Sequence, residues 1–346
     1  MKHLLPLLAV IPLLFSCRGK AAAPETRHGD PAEKILVAYV YHMRELPDAK
    51  YLTHINYAFG HVSETFDGVR VERPDDLRKL MGIREEWPHV KILLSIGGWG
   101  SGRFSEMADD DALRASFARD CARVVDEYGL DGIDIDWEYP GSDMAEISAS
   151  PRDVANYNLL MRDIRAAIGP DKLLTQATAS TAEYYDFKGL EPYIDWTNIM
   201  AYDLGWAPYH NAPLYPSELV DPESISVDEC VRAHLAQGVP PEKLVLGMPF
   251  YGHGAEGFPR RVDLTQADKL EGYEYHWHEV SQVPYLTDAR TGAFAFGYDN
   301  PESLRIKAEY AVAHGLRGAM YWEYSGDTPA GDLRRTVYQA LNGLLP

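Results

Sequence analysis

Four acidic residues stand close together in the first half of the chain, at a spacing that suits chemistry better than packing. Asp131 comes first, and Asp134, Asp136 and Glu138 follow at alternate positions, separated by isoleucine and tryptophan. Successive side chains of a β-strand point to opposite faces, so the last three carboxylates would share one face. Buried like charges repel each other and lose their hydration, and one of them then retains a proton near neutral pH. The spacing therefore predicts a polar pocket in which a carboxylic acid transfers a proton.

An exposed acidic edge strand is the simpler explanation of the same residues, and two features argue against it. The opposite face carries Ile133, Ile135 and Trp137, which need to be covered by other side chains. The stretch also follows an amphipathic helical pattern over residues 113–128 and precedes Pro140-Gly141. This order is typical of a central strand in an α/β fold.

The stretch DGIDIDWEYP, residues 131–140, resembles the DxxDxDxE signature of glycoside hydrolase family 18, the chitinases and their relatives. Two further motifs are similar to those of the family. Ser95-Ile96-Gly97-Gly98 resembles its SxGG motif, and Met200-Ala201-Tyr202-Asp203 resembles its MxYD motif. The resemblance covers essentially the whole chain after residue 34. One departure is His253, which stands where relatives often carry arginine and puts one sugar contact in doubt.

The resemblance implies a role for each residue of the acidic row. Glu138 would act as the general acid and then as the general base for water. Asp136 would hydrogen-bond the substrate's acetamido N–H, and the deeper Asp134 would share a proton with it. Tyr202 would donate its hydroxyl to the acetamido oxygen, and Trp322 would form the floor of the pocket beneath the sugar.

Other residues near the predicted strand ends are expected to contact the substrate or to shape the site. The expected contacts, besides Trp322, are Asp203, Met200, Trp99, Tyr139 and Trp206. Asp131 is an odd number of residues away from Asp134, so it does not share the face of the other acids, and it is expected to bond backbone at the start of its strand. Ser95, Gly97 and Gly98 are expected to form a structural motif. The histidines show no HExxH-type spacing and the implied mechanism needs no metal, so neither a metal nor a cofactor is expected.

Alternating strand-like and helix-like segments predict an α/β fold, a (β/α)8 TIM barrel. Eight candidate strands cover residues 35–41, 54–60, 91–96, 132–137, 173–179, 197–202, 243–249 and 318–322. A doubly wound open sheet is the alternative, although no Gly-rich phosphate loop follows the first strand. Nearly fifty residues, 251–298, separate strand 7 from helix 7. We interpret them as a small insertion forming one wall of a cleft.

The composition excludes some classes of partner. The chain has 346 residues, 46% of them hydrophobic, and a formal net charge of −19. Nucleic acid is not expected as a partner, because phosphate binding needs clustered Lys and Arg. The family resemblance implies chitin or an N-acetylglucosamine oligosaccharide as the substrate, and we expect a monomer.

The N-terminal residues predict export. Residues 1–17 read as a lipoprotein signal peptide, since an apolar run too short to span a membrane ends in Leu14-Phe15-Ser16-Cys17, which resembles a lipobox. Cys17 would carry the lipid, residues 18–33 would be a flexible tether, and residues 34–346 would form the catalytic barrel. The expected location is an exported, membrane-anchored lipoprotein of the outer membrane or cell surface. A plain secretory signal is the alternative.

Together these features favour a retaining glycosidase that hydrolyses β-1,4-linked N-acetylglucosamine polymers. The family is an exception among retaining enzymes, because the substrate's own acetamido oxygen is the nucleophile. One alternative is an endo-β-N-acetylglucosaminidase acting on the chitobiose core of N-glycans. Another is a non-catalytic surface lectin on the same barrel, although such relatives usually lose the glutamate that is present here as Glu138.

Overall fold

The computed structural model describes residues 33–345. The predicted signal peptide with Cys17, and all of the predicted tether except residue 33, lie outside the described residues. Within this part of the chain, none of the helices combines the length and the apolar character needed to cross a membrane.

Strands and helices alternate along most of the described chain. The strands are β1 (Ile35–Val40), β2 (His54–Val62), β3 (Val69–Val71), β4 (Lys91–Gly97), β5 (Gly132–Asp136), β6 (Leu173–Thr178), β7 (Trp196–Ile199), β8 (Leu244–Pro249), β9 (His253–Gly254), β10 (Tyr273–His278), β11 (Val283–Asp288), β12 (Phe294–Gly297) and β13 (Gly318–Trp322). The α-helices are α1 (Pro74–Leu80), α2 (Phe104–Asp109), α3 (Asp111–Tyr128), α4 (Asp153–Ile168), α5 (Phe187–Leu190), α6 (Val227–Ala236), α7 (Pro301–Ala313) and α8 (Asp332–Leu341).

Eight parallel strands form a closed barrel. Their order is β1, β2, β4, β5, β6, β7, β8 and β13, and β13 pairs again with β1. The strands are buried on both faces, as expected where helices cover a parallel sheet. The predicted (β/α)8 barrel is therefore confirmed, and the open doubly wound sheet is wrong.

The predicted insertion is an antiparallel sheet between β8, the seventh barrel strand, and α7. Its strand order is β10, β11, β12 and β9. β11 begins at Val283 and β12 at Phe294. The chain returns to the barrel at Asn300, whose side chain caps α7 in a capping box with Ser303.

The two barrel strands that lead into the predicted site motifs, β5 and β7, end earlier than their sequence pattern predicts. β5 ends at Asp136 and β7 at Ile199, where their pairing with neighbouring strands stops. Glu138 and the segment from Met200 to Asp203 therefore lie in loops beyond the strands. Asp203 has φ +56°, a left-handed conformation that cannot continue a strand.

Candidate active site

A cavity of about 330 Å³ opens at the carboxyl ends of the barrel strands. Parallel barrels place their active sites at this end. The lining residues come from strand ends and the loops that follow, and they are Tyr39, Tyr41, Phe59, Trp99, Asp136, Glu138, Ala177, Met200, Tyr202, Asp203 and Trp322. The fold thus brings together seven of the residues singled out in the sequence.

Asp134 lies under the cavity, fully buried, and four donors hold its carboxylate. Oδ2 accepts hydrogen bonds from the hydroxyls of Tyr39 at 2.9 Å and Ser95 at 2.8 Å. Oδ1 accepts from the Thr175 hydroxyl at 2.6 Å and the Asn198 amide at 3.2 Å. Burial raises the pKa of Asp134, and these hydrogen bonds counteract that rise. Four donors suit a charged carboxylate.

Asp136 occupies the next inward position of β5 and is 4% exposed. Burial raises its pKa well above the usual range, and the neighbouring charges of Glu138 and then Asp134 add to the rise. Its Oδ1 has no hydrogen-bond partner among residues 33–345. Both oxygens of Asp134 accept hydrogen bonds from four other side chains, and the proton shared between Asp134 and Asp136 stays a prediction.

Glu138 reaches the cavity from the loop after β5. Burial raises its pKa to about 7, the Tyr139 hydroxyl opposes this through a hydrogen bond, and the charge of Asp203 adds to the rise. A carboxyl group with this pKa is partly protonated at neutral pH and can exchange its proton within one reaction cycle.

Aromatic rings form one side of the cavity. Trp322 at the end of β13 is partly exposed and stacks on Phe59, with ring centroids 5.7 Å apart and planes 20° apart. Tyr39 and Tyr41 lie 5.8 Å and 5.7 Å from the same indole. The exposed part of the indole offers a flat apolar surface to a bound ring.

Tyr202 is buried beside the acids, which is where the sequence predicts it. Burial raises the pKa of its hydroxyl, and the charge of Asp136 adds to the effect. The one hydrogen bond that this hydroxyl makes within the described chain is a weak contact of 4.0 Å to the sulfur of Met320. The hydroxyl therefore keeps its proton and is free to donate it to a ligand.

Asp203 connects the cavity to the insertion. Its Oδ1 accepts hydrogen bonds from the Tyr251 hydroxyl at 2.6 Å and from His253 Nε2 at 2.7 Å. The His253 ring stacks on Trp206 at 4.7 Å. Trp206 is not among the residues that line the cavity, but its exposed indole stacks on His253, the partner of the lining residue Asp203.

Trp99 and Tyr139 lie on the side of the cavity formed by β4 and β5. Trp99 lines the cavity and is 61% exposed. Tyr139 does not line it, but its ring lies 6.4 Å from Trp99 and stacks on Tyr184 at 4.9 Å. The exposed indole and the stacked tyrosines extend the aromatic surface outward from the cavity.

The two glycines after Ser95 let β4 approach its neighbours closely. A Cβ on Gly97 would lie 1.9 Å from the carbonyl oxygen of Asp136, and one on Gly98 would lie 2.7 Å from Phe59. Both glycines have positive φ, +131° and +93°. Only glycine satisfies both constraints.

Asp131 lies at the opposite end of β5 from the cavity. It accepts a hydrogen bond from the backbone N–H of Ile92 at 2.8 Å and pairs with Arg84 and Lys91. The geometry agrees with the predicted bond to backbone at the start of the strand.

Several residues of the site were missed in the sequence. Tyr39, Thr175 and Asn198 hold Asp134 from three different strands, and Phe59 supports Trp322. The only sequence signal for the three residues that hold Asp134 is a polar side chain at an inward position of a barrel strand, and this signal is weak. Among residues 33–345 no group of three or more His, Cys, Asp or Glu side chains is arranged to hold a metal ion.

Comparison with known proteins places this geometry in a family. The family model of glycosyl hydrolases family 18 matches residues 31–327. Chitinase A1 of Niallia circulans is 34% identical over 332 residues, which cover 82% of this chain and 47% of that protein. Chitinase 63 of Streptomyces plicatus is 29% identical over 358 residues, covering 87% of this chain and 58% of that one. The chain spans about half the length of these curated relatives.

A solved structure of a family 18 enzyme superposes on this chain over its full length. The family 18 N-acetylglucosaminidase from Paenibacillus barengoltzii superposes with a TM-score of 0.80 at 35% identity, covering 89% of this chain and 100% of that one. The match of the family model over most of the chain, with the acidic row and the barrel, shows that the chain belongs to glycosyl hydrolases family 18.

Proposed function

We propose that the protein is a chitinase-type glycoside hydrolase that cleaves β-1,4-linked N-acetylglucosamine chains with retention of configuration. The observation that carries the proposal is the position of Glu138, whose pKa is raised to about 7, at a cavity with an aromatic floor. Glycoside hydrolysis needs an acid that protonates the leaving oxygen, and Glu138 has a suitable pKa for that step.

The buried aspartates favour the substrate's acetamido oxygen as the nucleophile. Most retaining enzymes use a charged carboxylate that reaches the sugar. Asp134 is held by four donors beneath the cavity, and burial with two neighbouring carboxylates raises the pKa of Asp136 well above its usual range, which disfavours its charged form. Neither residue is then a good nucleophile, whereas the 2-acetamido group of the substrate can attack within the same sugar.

Asp136 and Tyr202 are placed to orient that acetamido group. The unpartnered Oδ1 of Asp136 can accept a hydrogen bond from the acetamido N–H, and the Tyr202 hydroxyl can donate to its oxygen. Fixing the group beneath the anomeric carbon lowers the entropic cost of ring closure. Water, activated by Glu138 as the base, then opens the cyclic intermediate.

The test is the variant Glu138→Gln, which keeps the shape of the side chain but cannot donate the proton. We expect kcat on chitohexaose to fall by about 10²–10⁴-fold while binding of the oligosaccharide, measured by calorimetry, is retained. Activity above about 1% of wild type would rule out Glu138 as the acid. A thiazoline mimic of the cyclic intermediate is expected to inhibit competitively, and failure to inhibit at millimolar concentration would reject the acetamido mechanism.

Product analysis decides between this function and its alternatives. The solved relative from P. barengoltzii is named as an N-acetylglucosaminidase, so the size of the released unit is a separate question from the chemistry. Release of disaccharide from chitohexaose supports a chitinase, and release of single sugars supports an N-acetylglucosaminidase. Cleavage of a high-mannose glycoprotein, with chitohexaose left intact, would instead support the endo-β-N-acetylglucosaminidase. Oligosaccharide binding without turnover would support the lectin.

For the N-terminus, membrane anchoring through a lipid on Cys17 remains a proposal that rests on the sequence of residues 1–33. The variant Cys17→Ser should lose incorporation of labelled palmitate and should move from the membrane fraction to the soluble exported fraction. Equal membrane association of both forms would reject the anchor.

A further inference from the structure

A second and larger groove adjoins the cavity and shares the Trp322 side chain with it. It has a volume of about 790 Å³, within the range of ligand sites, and its walls are the loops after β1, β8 and β13. The hydrogen bond from the Tyr251 hydroxyl to Asp203 joins a residue of the groove to a residue of the cavity. A chain bound over Trp322 would therefore extend directly into the groove.

The barrel topology places this groove across the cavity from Trp99. Trp99 follows β4, the third of eight barrel strands, whereas the main wall of the groove follows β8, the seventh. In a closed barrel of eight strands these two positions are diametrically opposed. A polymer that crosses the barrel mouth would contact the exposed Trp99 on one side and the groove on the other.

Three arginines line the groove and lack partners. The guanidinium groups of Arg44, Arg260 and Arg261 form no hydrogen bond and no ion pair with any residue in the range 33–345. Lining residues with unused donors are ready to bind an acceptor from outside the chain.

The carboxylates that line the groove form no ion pair with these three arginines within the described residues. Asp327 pairs with Arg334 at 3.0 Å, and Asp263 accepts hydrogen bonds from the backbone and hydroxyl of Thr265. Glu323 accepts a hydrogen bond from Ser325 through Oε1, and its Oε2 has no hydrogen-bond partner among residues 33–345. The free guanidinium groups are thus the strongest unused donors of the groove.

The loop that carries two of the arginines is anchored to the insertion sheet. Phe258 stacks on Phe296 with ring centroids 4.4 Å apart and planes 13° apart, and it packs edge-on against Tyr273 at 4.9 Å. Arg260 and Arg261 follow this anchor directly. Their backbone is therefore held at the groove, while their side chains are exposed and can reach a ligand.

We propose that this groove, defined by Arg44, Arg260 and Arg261, binds anionic substituents of an amino-sugar chain, so that the preferred substrate is an N-acetylglucosamine polymer bearing carboxylate groups. The proposal rests on the proposed glycosidase function and specifies its substrate. A guanidinium fork matches a carboxylate with two parallel hydrogen bonds. A sulfate ester shares the same chemistry and is included as a separate arm of the test.

The experiment compares chitohexaose with its 6-O-carboxymethylated and 6-O-sulfated forms at low and high ionic strength. We expect kcat/KM for at least one anionic form to exceed that for the neutral hexamer by about 2- to 10-fold at low salt, since exposed ion pairs contribute modestly. The preference should shrink in about 1 M salt, where the Debye length falls to about 3 Å. The arm with the larger preference identifies the anion.

Variants separate the groove from general charge effects. The double variant Arg260→Gln/Arg261→Gln should lose most of the preference, measured as the ratio of kcat/KM on the anionic hexamer to kcat/KM on the neutral one. The matched control is Arg290→Gln, an exposed arginine in the turn between β11 and β12 that does not line the groove, and it should keep the preference. Equal rates on neutral and anionic hexamers by wild type, or an unchanged preference in the double variant, would overturn the proposal.

Failure of the proposed function would look different. If wild type hydrolyses none of the three hexamers, the glycosidase assignment fails, and the groove is then tested by calorimetric binding of the two anionic hexamers. Tighter binding of an anionic than of the neutral hexamer, lost in the double variant and kept in Arg290→Gln, would still support the groove. Equal binding of all three hexamers would overturn it.

Discussion

The charge on Asp134 can be tested with a substitution that changes one hydrogen bond and almost no volume. Thr175 donates to Asp134 Oδ1 at 2.6 Å, and both side chains are fully buried. In Thr175→Val a methyl group replaces the hydroxyl and the carboxylate keeps three of its four donors. A hydrogen bond to a charged group contributes about 1.5–3 kcal/mol, so we expect the free energy of unfolding to fall by about this amount at pH 7.

The loss should depend on pH in a definite direction. Burial raises the pKa of Asp134 in the folded protein above its unfolded value of about 3.9, so this carboxyl destabilises the fold increasingly as the pH rises from that value through the folded pKa. Removing a donor raises the folded pKa further and enlarges the effect. Below the unfolded pKa the carboxyl is protonated in both states. The loss of unfolding free energy in Thr175→Val should then shrink to about 0.5–1.5 kcal/mol, the contribution of a neutral hydrogen bond.

Urea unfolding followed by tryptophan fluorescence at pH 7 and below pH 4 measures both quantities. Thr197→Val is the matched control on the neighbouring strand β7, since buried Thr197 accepts a hydrogen bond from the neutral Gln176 amide at 3.0 Å. Its loss should be about 0.5–1.5 kcal/mol at both pH values. Equal losses for the two variants at pH 7, without pH dependence, would refute a charged Asp134 and would favour the shared proton instead.

Three further outcomes are expected. Asp203→Asn removes a charge that raises the pKa of Glu138, so the alkaline limb of the kcat/KM profile should move from near pH 7 to lower pH by up to about one unit, whereas exposed Asp75→Asn should leave it unchanged. Tyr202→Phe should lower kcat by about 10²-fold or more with little change in Tm, because its hydroxyl makes only a weak contact within the described chain. Lys307→Met leaves Asp299 buried without its ion-pair partner, so the free energy of unfolding should fall by about 3–5 kcal/mol, as measured by thermal denaturation. The double variant Lys307→Met/Asp299→Leu should regain much of this stability.

Local sequence patterns predicted the parts of this protein that depend on neighbours along the chain. The alternation around Asp134 and Asp136 placed both acids inward. A capping side chain before a proline is a local signal for a helix start, and α7 begins at such a pair, Asn300-Pro301. The pair Ser150-Pro151 carries the same signal, but α4 begins at Asp153. The buried carboxylate of Asp153 accepts hydrogen bonds from the Ser150 and Gly141 N–H groups and holds the preceding turn outside the helix.

Contacts between distant parts of the chain could not be predicted in this way. The donors to Asp134 come from residues 39, 95, 175 and 198, on four strands that meet only when the barrel closes. The contact of His253 with Asp203 depends equally on the insertion returning to the mouth of the barrel. No local pattern records such pairings, since each residue alone is an ordinary polar position on its strand.

The tight approach at Gly97 has a consequence for how this pocket can be redesigned or can diverge. Because any side chain there would collide with the main chain of Asp136, position 97 is closed to substitution by any larger residue. Ala177, on β6, is the smallest side chain that lines the cavity, and larger residues there would project into the space that a sugar would fill. A change in the shape of the cavity is therefore more accessible at Ala177 than at Gly97.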